Sequence, residues 1–428
     1  MSGALIIPVW LTLVLALPVL GLGGSLVRRI RNLDRFSIPA PVVGGLIFAL
    51  AVLAANVSGW SVRCETGTTW KAWTWLVTAE PDWQNGPVKS ANLPFLAVFF
   101  ASVGLGARWS LVRQAGRQVL IFLVVVSGLA VLQNVLGLAL AWLLGVSPLL
   151  GLVCGSMSMT GGHATTLGFA AEFERVGLAG AQTFGMAAAT LGLLAGALLS
   201  GPVGRSLIRR YGLQTAAPQP VESDSASAGG VEGGDSPRMT SPVGLVAHVL
   251  LLVFCLKAGA WLSYGLHRAG WVFPVFVGTL LVGVSLRLVL DRWSPAWFRP
   301  QKLDTLGSAA LGIFLATAMM TLNLRELAGV AGPMLVILGG QILLAVAFAR
   351  WATFRVMGRD YDAAVMAGGH CGFGLGSTAT AVAGMKALVE KSGAAPRAFL
   401  IVPLVGGFLV DLVNALNLTT FISLVRPH

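Results

Sequence analysis

Thr160-Gly-Gly-His-Ala-Thr-Thr166 and Gly368-Gly-His-Cys-Gly-Phe-Gly-Leu-Gly-Ser-Thr-Ala-Thr380 each interrupt a long apolar segment, at matching places in the two halves of one chain. Glycines at this density let a ligand or another backbone come close. Hydrocarbon cannot solvate an open peptide group, so non-helical backbone at membrane depth survives only where protein or a polar cavity satisfies it.

The composition around these breaks makes the bilayer the relevant solvent. Of 428 residues, 56% are hydrophobic and 11% charged, and the mean hydropathy of +0.80 lies far outside the range of a soluble domain. At roughly 20 apolar residues per spanning helix, the length allows about ten to twelve crossings. Paired breaks in repeated halves then point to a binding site near the bilayer midplane, the pattern of a secondary transporter. A net charge of +12 would suggest a nucleic-acid partner in a soluble chain. Here its placement ties it to membrane topology, and no nucleic acid is expected.

Spanning segments are expected near residues 4–27, 42–57, 93–107, 118–144 and 180–203, then 243–266, 271–290, 304–322, 331–353 and 397–424. The glycine-rich stretches at 149–171 and 361–389 are taken as re-entrant hairpins that enter and leave on one side. Basic residues gather on the cytoplasmic side of short loops. With Arg28, Arg29, Arg31 and Arg35 inside, alternation also places Arg108, Arg113, Arg117, Arg205, Arg209, Arg210, Arg287, Arg292, Arg299, Lys302, Arg350, Arg355 and Arg359 inside. Both termini then lie outside, with five crossings per half.

An odd number per half inverts the second half relative to the first. Internal similarity agrees: Pro41-x-x-x-Gly45 matches Pro274-x-x-x-Gly278, Ala115-Gly116 matches Ala328-Gly329, Gly155 matches Gly368, and Thr165 matches Thr378. The offset falls from 233 to 213 after the first pair, a length change that the long 58–92 loop supplies. The expected fold is therefore all-α: about ten transmembrane helices in two inverted-topology five-helix repeats, residues 1–204 and 242–428, each with its glycine-rich hairpin. Between them, residues 205–241 lose large apolar groups from Gly212 onward, gain Ser, Gly, Pro and acids, and read as a flexible cytoplasmic linker. The apolar N-terminus outlasts a signal h-region and has no convincing cleavage site, so it is expected to be a retained helix. Cys64, Cys154, Cys255 and Cys371 show no metal-ligand spacing and imply no disulfide framework.

Candidate chemistry comes from what is polar at membrane depth, where ionisable groups are costly. His163 and His370 sit in the breaks, Asp411 in the last helix and Lys257 in the sixth; Thr160, Thr165, Thr166, Ser377, Thr378 and Thr380 add hydroxyls. Peptide N–H groups at a half-helix start attract carboxylates, and free carbonyls at a half-helix end suit sodium. Plainer roles compete. Isolated glycines such as Gly192 and Gly283 serve helix packing, the two histidines brace open backbone as readily as they bind ligand, and Lys257 reads as snorkelling to an interface. Asp411 lies within a turn of Asn414, and the pair fits either sodium binding or a helix-to-helix bond. Trp60, Trp70, Trp73, Trp75 and Trp83 read as an interfacial belt.

Several stretches carry a resemblance: Gly-Gly-His-Ala-Thr at 161–165, Tyr361-Asp-Ala-Ala-Val365, Gly369-His-Cys-Gly-Phe-Gly-Leu-Gly376, Phe408-Leu-Val-Asp-Leu-Val-Asn-Ala-Leu416 and Ile38-Pro-Ala-Pro-Val-Val-Gly-Gly45. From about residue 28 to its end the chain resembles the bacterial sodium/glutamate symporters. The resemblance implies sodium-coupled uptake of L-glutamate across the inner membrane, a homodimer, sodium as coupling ion and no other cofactor. It implies that Gly161, Gly162, His163, Thr165, Gly372, Gly374, Gly376, Ser377 and Thr378 line the path; the polar residues themselves add Thr166 as a substrate contact and Asp411 or Asn414 as a sodium ligand. Departures lie close by. Ala164 follows the histidine where the family commonly has glycine, Gly168-Phe169 replaces an Ala-Trp pair, and Ala379 stands where proline is usual. A carrier of another carboxylate, coupled to sodium or protons, would share the architecture. An intramembrane hydrolase using His163, His370, Cys371 and Asp411 finds no support in H-E-x-x-H, G-x-S-x-G or Walker patterns, all absent; no enzyme activity is expected.

Overall fold

The computed structural model describes residues 5–30, 39–60, 62–65, 67–68, 70–80, 91–106, 109–214, 242–269, 274–293, 298 and 300–425. Helix dominates them. In chain order they run β1 (Leu5–Ile7), α1 (Val9–Arg29), α2 (Ala40–Val57), β2 (Val62–Cys64), α3 (Lys71–Trp75), α4 (Leu93–Gly106), α5 (Trp109–Leu143), α6 (Pro148–Leu152), α7 (Gly162–Arg175) and α8 (Ala181–Tyr211). The second half continues with α9 (Pro242–Arg268), α10 (Val275–Trp293), α11 (Pro300–Met320), α12 (Leu324–Phe348), α13 (Tyr361–Phe373), α14 (Thr378–Ser392), α15 (Pro396–Leu404) and α16 (Val410–Val425). π-helical turns extend α6 over Val153–Met157 and α12 over Ala349–Thr353, and join α15 to α16 over Val405–Leu409.

All ten expected spans are helical, with two qualifications. Among the described residues seven helices are long and apolar enough to cross a membrane, or eight if the pair α15 and α16, bent by 42°, is one span. α4 has only 14 residues, and α10 carries Arg287, Asp291 and Arg292 near its end. The helices that pass are apolar on all sides, as lipid-facing helices are, with Trp10, Leu17, Val124, Trp142, Leu143 and Leu343 exposed.

Two expectations are corrected. The first span begins at Val9, because Pro8 disfavours helix in the residue before it; Leu5–Ile7 is extended and pairs in parallel with Val62–Cys64, so the chain is not purely helical. The last helix of the first half runs past residue 204 to Tyr211, since nothing in Arg205-Ser-Leu-Ile-Arg-Arg-Tyr211 breaks it. Gly212 ends it at φ 60, and Arg209 and Arg210 favour the helix's negative pole. Residues 215–241 of the linker lie outside the described residues, as does Trp83.

The described helices gather into two compact units, and each unit draws on both halves of the chain. One holds α1, α2 and α4 with α9, α10 and α11. Its helices approach through glycine: a Cβ on Gly44 would stand 2.1 Å from Val19 O, one on Gly278 2.2 Å from Gly259 O, and one on Gly104 2.5 Å from Leu280 O. Such contacts let backbones pack where no water drives helices together. Lys257 belongs to this unit, where its ammonium donates to Trp75 O (3.2 Å) and Thr78 O (3.0 Å) and lies 4.1 Å over the Trp75 ring. It holds the loop helix α3 and stands apart from the breaks in sequence and role.

The other unit holds α5 to α8 and, from Glu326 on, α12 to α16. Both glycine-rich breaks and all three π-helical turns are in it. α8 is its organising strut, packing on α13 in opposite directions: a Cβ on Gly192 would meet Leu375 O at 2.3 Å, one on Gly196 Gly372 O at 2.6 Å, and one on Gly204 Ala364 O at 3.2 Å.

Candidate functional site

Each glycine-rich stretch is a helix, a break and a second helix. In the second stretch the chain doubles back on itself. A Cβ on Gly372 would stand 2.8 Å from Ala381 Cα, and one on Gly369 2.6 Å from Met385 Sδ. At the open end the Tyr361 hydroxyl donates to Gly393 O (2.5 Å), the Ala398 amide to Asp362 (2.9 Å), and Arg397 to Asp360 (2.5 Å), which also caps α13 through the Ala363 amide (2.8 Å). Ser377 caps α14 by accepting from Thr380 N–H (3.3 Å), as an N-cap serine does.

In the first stretch the helix breaks at Gly155 (φ −89, ψ −137) and restarts at Gly162. The two breaks touch. Gly162 has φ +61, and a Cβ there would lie 2.5 Å from Gly376 O. This contact brings the first turns of α7 and α14 together, whose amides lack intrahelical partners and form positive helix poles. The carbonyl ends of α13 and of the π-helical turn after α6 meet the same breaks. Anion-suited amides and cation-suited carbonyls thus occur at one place.

The expected residues divide by what their atoms do. Gly161, Gly162, Gly372, Gly374 and Gly376 are where backbones pass too closely for a side chain: a Cβ on Gly161 would stand 2.7 Å from Met157 O, on Gly374 2.8 Å from His370 O, and on Gly376 2.5 Å from Leu193 Cα. His163 is buried and bonds Thr190 at 3.1 Å. The Thr190 hydroxyl donates to Met186 O (2.8 Å), so its oxygen accepts and His163 Nε2 is the donor. Thr166, fully buried, donates within its own turn to Gly162 O (2.6 Å). Both are braces in this geometry. Thr378 donates to Gly406 O (2.6 Å), tying the second break to the bend between α15 and α16. Ser377 and Thr378 are half-buried and Ala379 is exposed, as Gly161 and Ala164 are half-buried on the other break. The departures Ala164 and Ala379 therefore lie on accessible surface of the breaks. His370 is fully buried, bonds Thr353 through Nδ1 (2.8 Å), and is boxed by Phe122, Phe348 and Phe373. Asp411 is half-buried and forms no hydrogen bond or ion pair among the described residues.

Four neutral amides support the breaks, and of these the sequence reasoning named only Asn414. Gln133 on α5 donates to Gly374 O (2.8 Å) and accepts from Thr160 (2.7 Å), so one side chain clamps both breaks. Gln341 on α12 in turn donates to Gln133 O (2.7 Å). Asn134 accepts from the Ser156 amide (2.9 Å), and Asn414 on α16 donates to Ser156 O (3.0 Å). All four are fully buried. The available signal was an uncharged amide within otherwise apolar Val131-Leu-Gln-Asn-Val135 and Gly340-Gln-Ile342, where such a group needs a partner.

Among the described residues no three His, Cys, Asp or Glu side chains gather as for a metal ion. The oxygens at the breaks are amide and hydroxyl oxygens.

A family model described as sodium/glutamate symporter matches residues 5–69 and 85–394. The sodium/glutamate symporter of Escherichia coli is 39% identical over 415 residues, 96% of this chain and 97% of that protein. That of Haemophilus influenzae is 37% identical over 417 residues, 97% of each. Among solved structures, the sodium proton antiporter MjNhaP1 from Methanocaldococcus jannaschii aligns over 97% of this chain and 98% of its own at 14% identity and a TM-score of 0.43, a likeness too slight to decide anything. With the match spanning most of the sequence and the relatives nearly its full length, the chain belongs to the sodium/glutamate symporter family.

Proposed function

We propose that this protein is a multi-pass membrane symporter that carries L-glutamate inward on the sodium gradient by alternating access, with the contact between the two glycine breaks as its substrate site. The observation that carries the reading is the meeting of Gly162 with Gly376, which joins two helix starts and two helix ends at one place. First-turn amides and the accessible Ser377 hydroxyl hold the carboxylates, with Thr378, whose proton goes to Gly406 O, lining the site beside them; carbonyls with Asp411 and Asn414 hold sodium. Sodium offsets the anion's charge and so lowers its cost at membrane depth. Sodium is cargo and coupling ion, and no prosthetic group takes part.

Movement follows the division into units. Each half of the chain gives its first three long helices to one unit and its break with the flanking helices to the other. This even division supports inverted five-helix repeats and an elevator-like motion of the break-bearing unit against the other. The closed mouth of the α13–α14 hairpin, from Tyr361 to Gly393, supports a re-entrant segment. The orientation with both termini outside rests on the arginines, and the inner-membrane location and homodimer on the family.

Purified protein in liposomes with an inward sodium gradient should accumulate labelled L-glutamate, and potassium or proton gradients alone should not drive it. Because Ala164 and Ala379 border the breaks on accessible surface, competition by hydroxy and dicarboxylic acids belongs in the same assay. Accumulation of one of those acids in place of glutamate would keep the fold and replace the substrate.

A further inference from the structure

Two buried asparagines grip the backbone of one residue, one at its N–H and one at its C=O. Asn134 Oδ1 accepts from the Ser156 amide, and Asn414 Nδ2 donates to the Ser156 carbonyl. Ser156 follows Gly155, the residue that breaks the first helix, and a Cβ on Gly155 would stand 2.8 Å from Asn134 Oδ1. A peptide N–H can only donate and a carbonyl can only accept, so the sense of each side-chain amide is fixed by its partner. The other end of each amide is left without a partner among the described residues: Asn134 Nδ2 and Asn414 Oδ1 are both buried and unbonded. One free end is therefore a pair of N–H donors and the other a neutral oxygen acceptor. Leaving such groups unpaired in the interior is costly. The two free ends match the two ions of opposite sign that a symporter must bring together.

We propose that Asn134 Nδ2 donates to a carboxylate of the transported anion and that Asn414 Oδ1 ligates the co-transported sodium, the Ser156 backbone between them being the link that couples the two. This rests on the transport reading above and deepens it by giving each backbone group of one residue its own ion. Oxygen of an amide suits sodium as backbone carbonyls at broken helices do. Asp411, three residues before Asn414, shares its helix face and lends negative charge to the cation side.

Isosteric acids separate a ligand role from a bracing role, because the two roles predict opposite outcomes. Asn134→Asp still accepts from the Ser156 amide but turns its free end into an anion facing the carboxylate. The glutamate KM in proteoliposomes at saturating sodium should rise about tenfold or more, with the sodium half-saturation, read at saturating glutamate, unchanged. Asn414→Asp can no longer donate to Ser156 O, yet keeps and charges the cation's oxygen. Its sodium half-saturation should equal or fall below the parent's, whereas Asn414→Leu should raise it. If Asn414→Asp is as impaired as Asn414→Leu, Asn414 is a brace only, and if Asn134→Asp keeps the parent KM, its amide does not face the anion; either result overturns the proposal. Melting of the purified proteins in sodium against choline reads the cation contact without turnover: sodium should raise the melting temperature of the parent and Asn414→Asp but not of Asn414→Leu. Should Asn134→Asp lack a cooperative melt, Asn134→Ser, which keeps an acceptor without the charge, should show the same direction of change in KM. A parent protein that shows no sodium-driven glutamate uptake would instead overturn the transport reading itself.

Discussion

Replacing Gly162 with alanine puts a methyl group into the contact between the two breaks. The backbone there is left-handed, with φ +61, which costs an L-residue about 1–2 kcal/mol. The new Cβ would lie 2.5 Å from Gly376 O, while a carbon and a carbonyl oxygen rest at about 3.3 Å. The carbonyl must retreat by about 0.8 Å, a forced shift of the kind that costs about 1–3 kcal/mol in packed interiors. The sum of about 2–5 kcal/mol corresponds to roughly thirtyfold to a few thousandfold if it is felt wholly in transport. It should be felt there, because the strain is relieved by parting the breaks without disassembling the helices behind them. Initial rates of sodium-driven glutamate uptake in proteoliposomes, at matched protein and with melting temperature recorded, measure both effects. Gly201→Ala on α8 is the control, since a Cβ there meets nothing within 4 Å and alanine is the better helix former. Uptake by Gly162→Ala at the parent rate would refute the claim that this contact forms the site.

Other substitutions test the surroundings. Gln133→Leu removes the partner of both Thr160 and Gly374 O, each worth about 1–3 kcal/mol when left unpaired and buried, so melting temperature and uptake should both fall; unchanged values would contradict the clamp. Thr378→Val keeps the shape but loses the bond to Gly406 O, a net of about 0.5–1.5 kcal/mol, and hydrogen exchange should quicken at the bend over Val405–Leu409 while uptake slows. Lys257→Met should leave uptake intact and lower the melting temperature slightly, through loss of a cation–π contact worth about 0.5–1 kcal/mol and of its two bonds to carbonyls. Loss of uptake in that variant would place Lys257 in the transport path instead.

Hydropathy made the spanning helices legible, because a helix facing lipid must be apolar all round, and seven of the ten expected segments, or eight with the bent last pair, are helices long and apolar enough to cross. The glycine runs were legible for a related reason: the positions where no side chain fits, Gly162 and Gly376 among them, are where backbones meet. The first strand was not, since Leu5-Ile-Ile7 is as apolar as the helix after it, and only Pro8 separates them. The division into two units was hidden too. It depends on contacts such as Gly104 against Leu280 and Gly192 against Leu375, between segments far apart in sequence and with no local signature. The amides Gln133, Asn134 and Gln341 were visible as letters but carry no charge, and attention to ionisable groups passed over them. His163 and His370 bond Thr190 and Thr353, contacts that fit the bracing role weighed for both from the sequence.

Coupled flux tests the account at its centre. Proteoliposomes loaded without sodium and given radiolabelled sodium and labelled L-glutamate outside should take up each ion faster in the presence of the other, and Gly162→Ala should lose both enhancements together. Glutamate that accumulates with no glutamate-dependent sodium entry would contradict the joining of the two ions at the meeting point of the breaks.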